Sequence, residues 1–140
     1  FGDPESQVLL PRLSSDLVDL LVAAADGEIG ARAPTFTRDA AVCVVTACPG
    51  YPEAPRTGAI IEGLDAANAA ADTLVFCAGV GRDSDGRLVT AGGRVLNVVG
   101  MGPTIAAARE RAYAGVREIS FAGMQYRHDI AAAAAKEERR

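Results

Sequence analysis

The run from Ala40 to Ala47 constrains the fold more than any other feature, because it is almost entirely apolar and rich in valine. Such a run, flanked by polar and turn-forming residues, predicts a β-strand that is buried on both faces. The turn residues Asp83 to Gly86, followed by residues 87–90, predict a β-hairpin, and Gly92-Gly93 predicts a second tight turn. Further strands are predicted at residues 60–61, 73–78 and 94–99.

Helical patterns lie on both sides of these strands. Asp3 is the predicted N-cap of a first helix, with Glu5 in its first turn, and residues 14–16 (Ser-Ser-Asp) offer the N-cap of a second. The apolar face of the second helix repeats at helical spacing in Leu17, Leu20, Leu21 and Ala24. A third helix follows Thr104, with Ile105, Ala108, Ala112, Tyr113 and Val116 on its apolar face and Arg109, Glu110 and Arg111 toward water. This order predicts an α+β fold with a mostly antiparallel sheet and helices packed on one face.

Length, charge and hydropathy argue against several classes of protein function. The 140 residues correspond to about one domain, and the net charge of −4 lacks the basic surface that nucleic-acid binding requires. No apolar run approaches the roughly 18 residues needed to span a membrane. Cys43, Cys48 and Cys77 form no metal-binding or redox pattern, so we expect buried, reduced thiols and a cytoplasmic location.

Gly92-Gly93-Arg94 is the best candidate for a ligand site. Two glycines let a backbone approach a ligand closely, and an arginine can bind phosphate or carboxylate through two hydrogen bonds. An ordinary glycine turn with a solvated arginine is the alternative, and the pattern alone favours it. Asp3 and Glu5 are possible carboxylate ligands, and Arg56 is a second possible anion contact. Gly100 and Gly102 are predicted to form a plain turn between a strand and the helix after Thr104. They do not complete a dinucleotide fingerprint, because Ile105 occupies the place of the third glycine.

Several motifs taken together resemble one enzyme family. Residues 1–13 (FGDPESQVLLPRL) resemble the end of the ATP-grasp domain of the phosphoribosylamine–glycine ligase (glycinamide ribonucleotide synthetase) family. Six further segments resemble the C-terminal domain of the same family: residues 50–52 (GYP), 58–64 (GAIIEGL), 86–96 (GRLVTAGGRVL), 108–113 (ARERAY), 119–124 (ISFAGM) and 127–130 (RHDI). The resemblance covers nearly the whole chain in the same order.

The resemblance implies three segments and a reaction. Residues 1–35 would be the end of an ATP-grasp domain, residues 36–135 the C-terminal domain, and residues 136–140 a charged tail. The family uses ATP and Mg²⁺ or Mn²⁺ to join glycine to 5-phosphoribosylamine, and its metal ligands precede the segment that resembles residues 1–13. The chain opens at Phe1 without an initiator Met, so we expect a piece of a longer protein, inactive without an N-terminal and ATP-grasp portion.

The resemblance also assigns roles to individual residues. Gly92, Gly93 and Arg94 would bind the substrate phosphate, while Asp3 and Glu5 would lie at the edge of the metal and glycine site. Cys77, Val80 and Ala91 depart from the family pattern near the phosphate loop. Two other interpretations remain open: another ATP-grasp ligase or carboxylase of the purine or biotin type, and a non-catalytic interaction module.

Overall fold

The computed structural model describes residues 2–138, so the predictions that concern Phe1 and the last two residues of the charged tail lie outside the described part. The helices are α1 (Glu5–Leu9), α2 (Leu17–Ala25), α3 (Leu64–Ala69), α4 (Ile105–Glu118) and α5 (Ala132–Glu137). The strands are β1 (Ala40–Ala47), β2 (Thr73–Cys77), β3 (Val80–Arg82), β4 (Leu88–Thr90) and β5 (Arg94–Gly102). Short 3-10 turns occupy Leu10–Arg12 and Ile29–Ala31.

A three-stranded antiparallel sheet in the order β1-β5-β2 forms the centre of the fold. Val98 in β5 is the register partner of Val44 on one side and of Val75 on the other. Strands β3 and β4 form the predicted hairpin as a separate antiparallel pair. The predicted strand at residues 60–61 is only an isolated bridge from Ile60 to Val89. The α+β class with antiparallel pairing is therefore confirmed.

Helix α4 packs across one face of this sheet and encloses the main core. Val44, Val98, Ala108, Ala112 and Val116 are all completely buried there, as the predicted apolar face of the helix requires. Gly100 and Gly102 lie inside β5 rather than in a turn before the helix, which corrects the prediction. The physical reason is close packing, since a Cβ at Gly100 would collide with the backbone of Ala108 and Arg111.

The opposite face of the sheet is covered less completely, by α1 and the 3-10 turn after it. Val42 and Val44 are buried, whereas the alternating Cys43 and Val45 are only half-buried. The predictions that β1 is buried on both faces and that helices pack on one face were therefore wrong. One short helix crosses the second face without sealing it.

The polar ends of the helices confirm some predictions and correct others. Asp16 caps α2 by accepting hydrogen bonds from the backbone N–H groups of Val18 at 2.8 Å and Asp19 at 3.2 Å. Asp3 does not cap α1, because Pro4 stands at that position and no side chain caps the helix.

The surface of α4 and the C-terminal tail also differ from the predictions. Arg109 donates to the backbone carbonyls of Ile130 and His128, and Arg111 pairs with Asp72 at 2.9 Å, so these side chains are not simply solvated. Helix α5 includes Lys136 of the predicted charged tail.

Candidate functional site

A β-bulge at the start of β5 sets the direction of Arg94. Thr46 of β1 pairs with Leu96, but the next residue, Ala47, pairs with Arg94, so Val95 is the extra residue. Strict alternation would send Arg94 to the same face as Leu96, which is completely buried in the α4 core. Because a bulge shifts the alternation by one residue, Arg94 instead emerges on the other face and its guanidinium stays accessible.

Arg94 and Asp3, two of the predicted site residues, meet in the structure. The Nη2 atom of Arg94 lies 2.8 Å from Oδ2 of Asp3, with both side chains about 40% exposed. The other carboxylate oxygen of Asp3 accepts a hydrogen bond from Gln7 at 3.1 Å. This engagement explains why Asp3 does not cap α1. Glu5 lies in the first turn of that helix, exposed to solvent, and the structure gives it no contact with Arg94.

Gly92 and Gly93 are packed against the protein itself. A Cβ at Gly93 would lie 2.5 Å from Cδ2 of Tyr51, and one at Gly92 would lie 3.0 Å from Cα of Gly79. Their carbonyl groups accept hydrogen bonds from Cys48, through its thiol to Gly92 and through its backbone N–H to Gly93. The two glycines are therefore required by local packing, whether or not a ligand also approaches them.

The three departures from the family pattern lie around this glycine turn. Ala91 donates its backbone N–H to the carbonyl of Gly79 at 2.7 Å, which ties the turn to the segment before β3. Cys77 is exposed because it ends β2 at the edge of the sheet, which corrects the prediction that this thiol is buried. Val80 begins β3. Gly79, which precedes Val80, also donates its backbone N–H to the carbonyl of Arg94 at 2.9 Å.

An open cleft of about 360 Å³ lies beside Arg94. It is lined by Val45, Ala47, Tyr51, Arg94, Gln125, Tyr126 and Arg127. Tyr51, Tyr126 and Arg127 were not predicted as site residues, although Tyr51 and Arg127 stand in motifs that carry the family resemblance. Arg56 lies in a different cleft, so the structure does not bring it to Arg94.

A second, entirely apolar groove of about 240 Å³ lies in residues 2–39. Its walls are Leu9, Leu10, Leu13, Leu17, Leu20, Leu21, Ala24, Ile29, Pro34 and Phe36. The predicted apolar face of α2 therefore faces a groove rather than a sealed core. Leu21 is 59% exposed there, and large exposed apolar patches mark surfaces that pack against another protein segment.

The titratable groups of this region give no sign of a metal centre. Within residues 2–138, no three His, Cys, Asp or Glu side chains come close enough together to hold a metal ion. The three cysteines are free thiols. Burial raises the pKa of Cys43 to about 11, and the nearby negative charge of Asp3 adds to the increase. Of the helices described, none combines the length and apolar character that a membrane crossing requires.

Comparison with known proteins identifies close relatives. The family model described as "Phosphoribosylglycinamide synthetase, C domain" matches residues 41–133. A protein of Caulobacter vibrioides named phosphoribosylamine–glycine ligase is 52% identical over 131 residues, covering 93% of this chain and 30% of the relative. The protein of that name from Phenylobacterium zucineum is 53% identical over 131 residues, covering 93% of this chain and 31% of the relative.

A solved structure supports the same relationship. The crystal structure of phosphoribosylamine–glycine ligase from Thermotoga maritima superposes with a TM-score of 0.78 and 38% identity, covering 93% of this chain and 31% of that one. The chain thus spans about 30% of the length of the relatives it matches.

Proposed function

Because the chain belongs to the family of phosphoribosylglycinamide synthetase C domains, we propose that it is the C-terminal part of an ATP-dependent ligase of de novo purine synthesis. ATP would phosphorylate the carboxylate of glycine, giving glycyl phosphate and ADP. The amine of 5-phosphoribosylamine would then attack the glycyl carbonyl carbon and expel phosphate, which gives glycinamide ribonucleotide. The relatives named phosphoribosylamine–glycine ligase, about half identical over almost the whole chain, carry this proposal.

The contribution of this chain would be to bind the phosphate of 5-phosphoribosylamine. The supporting observation is the bulge that turns Arg94 out of the core, combined with the ion pair to Asp3 that holds it. Arginine suits this task because its planar guanidinium can donate two parallel hydrogen bonds to a phosphate. Gly92 and Gly93 would contribute their backbone, since neither N–H has a hydrogen-bond partner within residues 2–138. Asp3 and Glu5 would lie toward the glycine.

The rest of the enzyme would complete the active site. Residues 1–35 would belong to the end of an ATP-grasp domain, and the apolar groove beside α2 would pack against the remainder of that domain. ATP would bind in that missing portion. The chain alone would therefore have no ligase activity, and a cytoplasmic location stays a prediction that its free cysteines support.

The predicted Mg²⁺ or Mn²⁺ does not fit the residues described here. Asp3 is neutralised by Arg94, and no cluster of three suitable side chains exists within residues 2–138. We therefore expect the missing portion to supply the metal ligands, and no step of the reaction is assigned to a metal in this chain.

Reconstitution tests the proposed function. The chain is mixed with a separately produced N-terminal portion, ATP, Mg²⁺, glycine and freshly generated 5-phosphoribosylamine, and ADP release is followed. We expect ADP formation that needs both pieces and both substrates. In an intact longer chain, Arg94→Ala should raise KM for 5-phosphoribosylamine by about tenfold or more, because a charge-assisted hydrogen bond is lost.

Two controls make this test decisive. Arg117→Ala removes an exposed arginine at the end of α4, away from the cleft, and should leave the kinetics unchanged. Use of bicarbonate in place of glycine by the intact chain would overturn the proposal in favour of a carboxylase. Absence of any substrate-dependent ADP release from the intact chain would overturn it as well.

A further inference from the structure

Arg127 faces the same cleft as Arg94 but comes from a different part of the chain. Its segment is anchored beside β1 by two hydrogen bonds between Ala47 and Gln125, at 2.8 Å and 3.0 Å. The hydroxyl group of Tyr113 donates to the carbonyl of Arg127 at 2.7 Å. These bonds fix the backbone on both sides of the side chain. The cleft is thus lined by two arginines whose segments both lie beside Ala47 of β1.

Each of the two arginines is held by an aspartate. Arg127 donates from Nε and Nη2 to the two carboxylate oxygens of Asp129, at 2.9 Å and 2.7 Å. This bidentate pair lowers the pKa of Asp129 below its ordinary value, so the carboxylate stays charged at neutral pH. Arg94 uses a single nitrogen toward Asp3. Because a guanidinium has five N–H groups, both arginines keep donors for a ligand.

The other walls indicate what kind of ligand fits. Tyr51 and Tyr126 contribute aromatic surface, and Val45 and Ala47 contribute an apolar floor from β1. Tyr126 is braced by the His128 ring, with centroids 4.6 Å apart. A cleft of about 360 Å³ is larger than a free phosphate ion requires and is within the range of small organic ligands. Two cationic groups on a partly apolar wall match a phosphorylated sugar.

We propose that Arg94 and Arg127 together bind the phosphate group of a sugar phosphate, and that Asp3 and Asp129 position the two guanidinium groups. The proposal makes Arg127 a binding residue and Asp129 a positioning residue. Only the identification of the sugar phosphate as 5-phosphoribosylamine rests on the proposed function. The cleft and its two arginines stand independently of that identity.

The direct test is an NMR titration of the 140-residue chain with ribose 5-phosphate, with separate titrations of inorganic phosphate and of ribose. We expect shifts at Arg94, Arg127 and Gln125, and weaker binding of both partial ligands. Arg127→Ala should weaken binding of ribose 5-phosphate by about tenfold or more, and Arg127→Lys by less, since lysine keeps the charge but not the bidentate geometry. Arg117→Ala serves as the control.

Three results would overturn the proposal. The first is unchanged affinity in Arg127→Ala, and the second is a set of shifts confined to the separate cleft around Arg56. The third is equal affinity for inorganic phosphate, which would remove the sugar from the assignment. The Arg127 side chain is 73% exposed, so its truncation should not prevent folding.

The longer enzyme separates this proposal from the proposed function. Arg127→Ala and Asp129→Asn should raise KM for 5-phosphoribosylamine while KM for glycine and ATP stays constant, a split that a purely structural defect would not give. Ligase activity with an unchanged KM would reject the role of Arg127 and keep the ligase. Binding of ribose 5-phosphate through both arginines, in an enzyme that does not use glycine, would keep the cleft and reject the ligase.

Discussion

Residues 2–39 and residues 40–138 use apolar side chains in different ways. In the second region β1, β5 and α4 enclose a core in which Val44, Leu96 and Val98 are completely buried. In the first region Ala23 is the only buried residue among the side chains described. Apolar periodicity therefore predicts a helix in both regions but does not reveal whether the chain itself covers that helix.

The difference follows from the number of partners that each region has. Helix α4 packs against three strands and two helices, whereas α2 has only the 3-10 turn after it as a substantial neighbour within residues 2–138. An apolar face without a covering layer contributes little to the free energy of folding, since burial of apolar area is the main favourable contribution. The apolar face of α2 therefore stays largely exposed within residues 2–138, as the 59% exposure of Leu21 shows.

The largest expected contrast comes from truncating one leucine in each region. Leu96→Ala should lower the free energy of unfolding by about 3 kcal/mol, because it leaves a cavity in a closed core. Leu21→Ala should lower it by no more than about 0.5 kcal/mol, because Leu21 is 59% exposed. Urea unfolding of both variants measures the difference. Equal losses would show that the groove beside α2 is closed within this chain.

A smaller contrast is expected from adding one methyl group in each region. Gly100→Ala should cost about 2 kcal/mol or more, because its Cβ would collide with the backbone of α4. Gly30→Ala is the matched control: its Cβ would meet nothing within 4 Å and its backbone is not in the left-handed region. Thermal unfolding should therefore separate the two variants. A tolerated Gly100→Ala would mean that α4 packs less closely on β5 than described.

The sequence predicted the second region better than the first, for a physical reason. Strand β1, the hairpin and the apolar face of α4 depend on local periodicity and turn chemistry, and these patterns are strong. The direction of Arg94 depends instead on a register shift between Thr46 and Ala47, which no local pattern encodes. Local spacing predicts that Asp3 caps a helix, because its ion-pair partner Arg94 is distant in the sequence. Arg127 was not predicted as a site residue, because the hydrogen bonds between Gln125 and Ala47 that place its segment beside β1 join residues far apart in the sequence.

The smallest predicted effect lies where the two regions touch, at Cys43 on the half-covered face of β1. Its pKa of about 11, against the ordinary 9, keeps the thiol protonated at neutral pH, so alkylation of Cys43 should accelerate only as the pH approaches 11. The stability that the protonated thiol contributes is intact below pH 9 and is lost as the pH rises through 11.

Asp3→Asn should lower the pKa of Cys43, because the negative charge that disfavours the thiolate is removed, but burial should keep it above 9. The pH dependence of Cys43 alkylation, followed by mass spectrometry in a Cys77→Ser background, measures both effects. Asp19→Asn, on the exposed side of α2, is the charge-matched control. An Asp3→Asn variant with the same titration curve as the parent would show that the segment before α1 does not lie over β1, and the two regions would then be more independent than the structure shows.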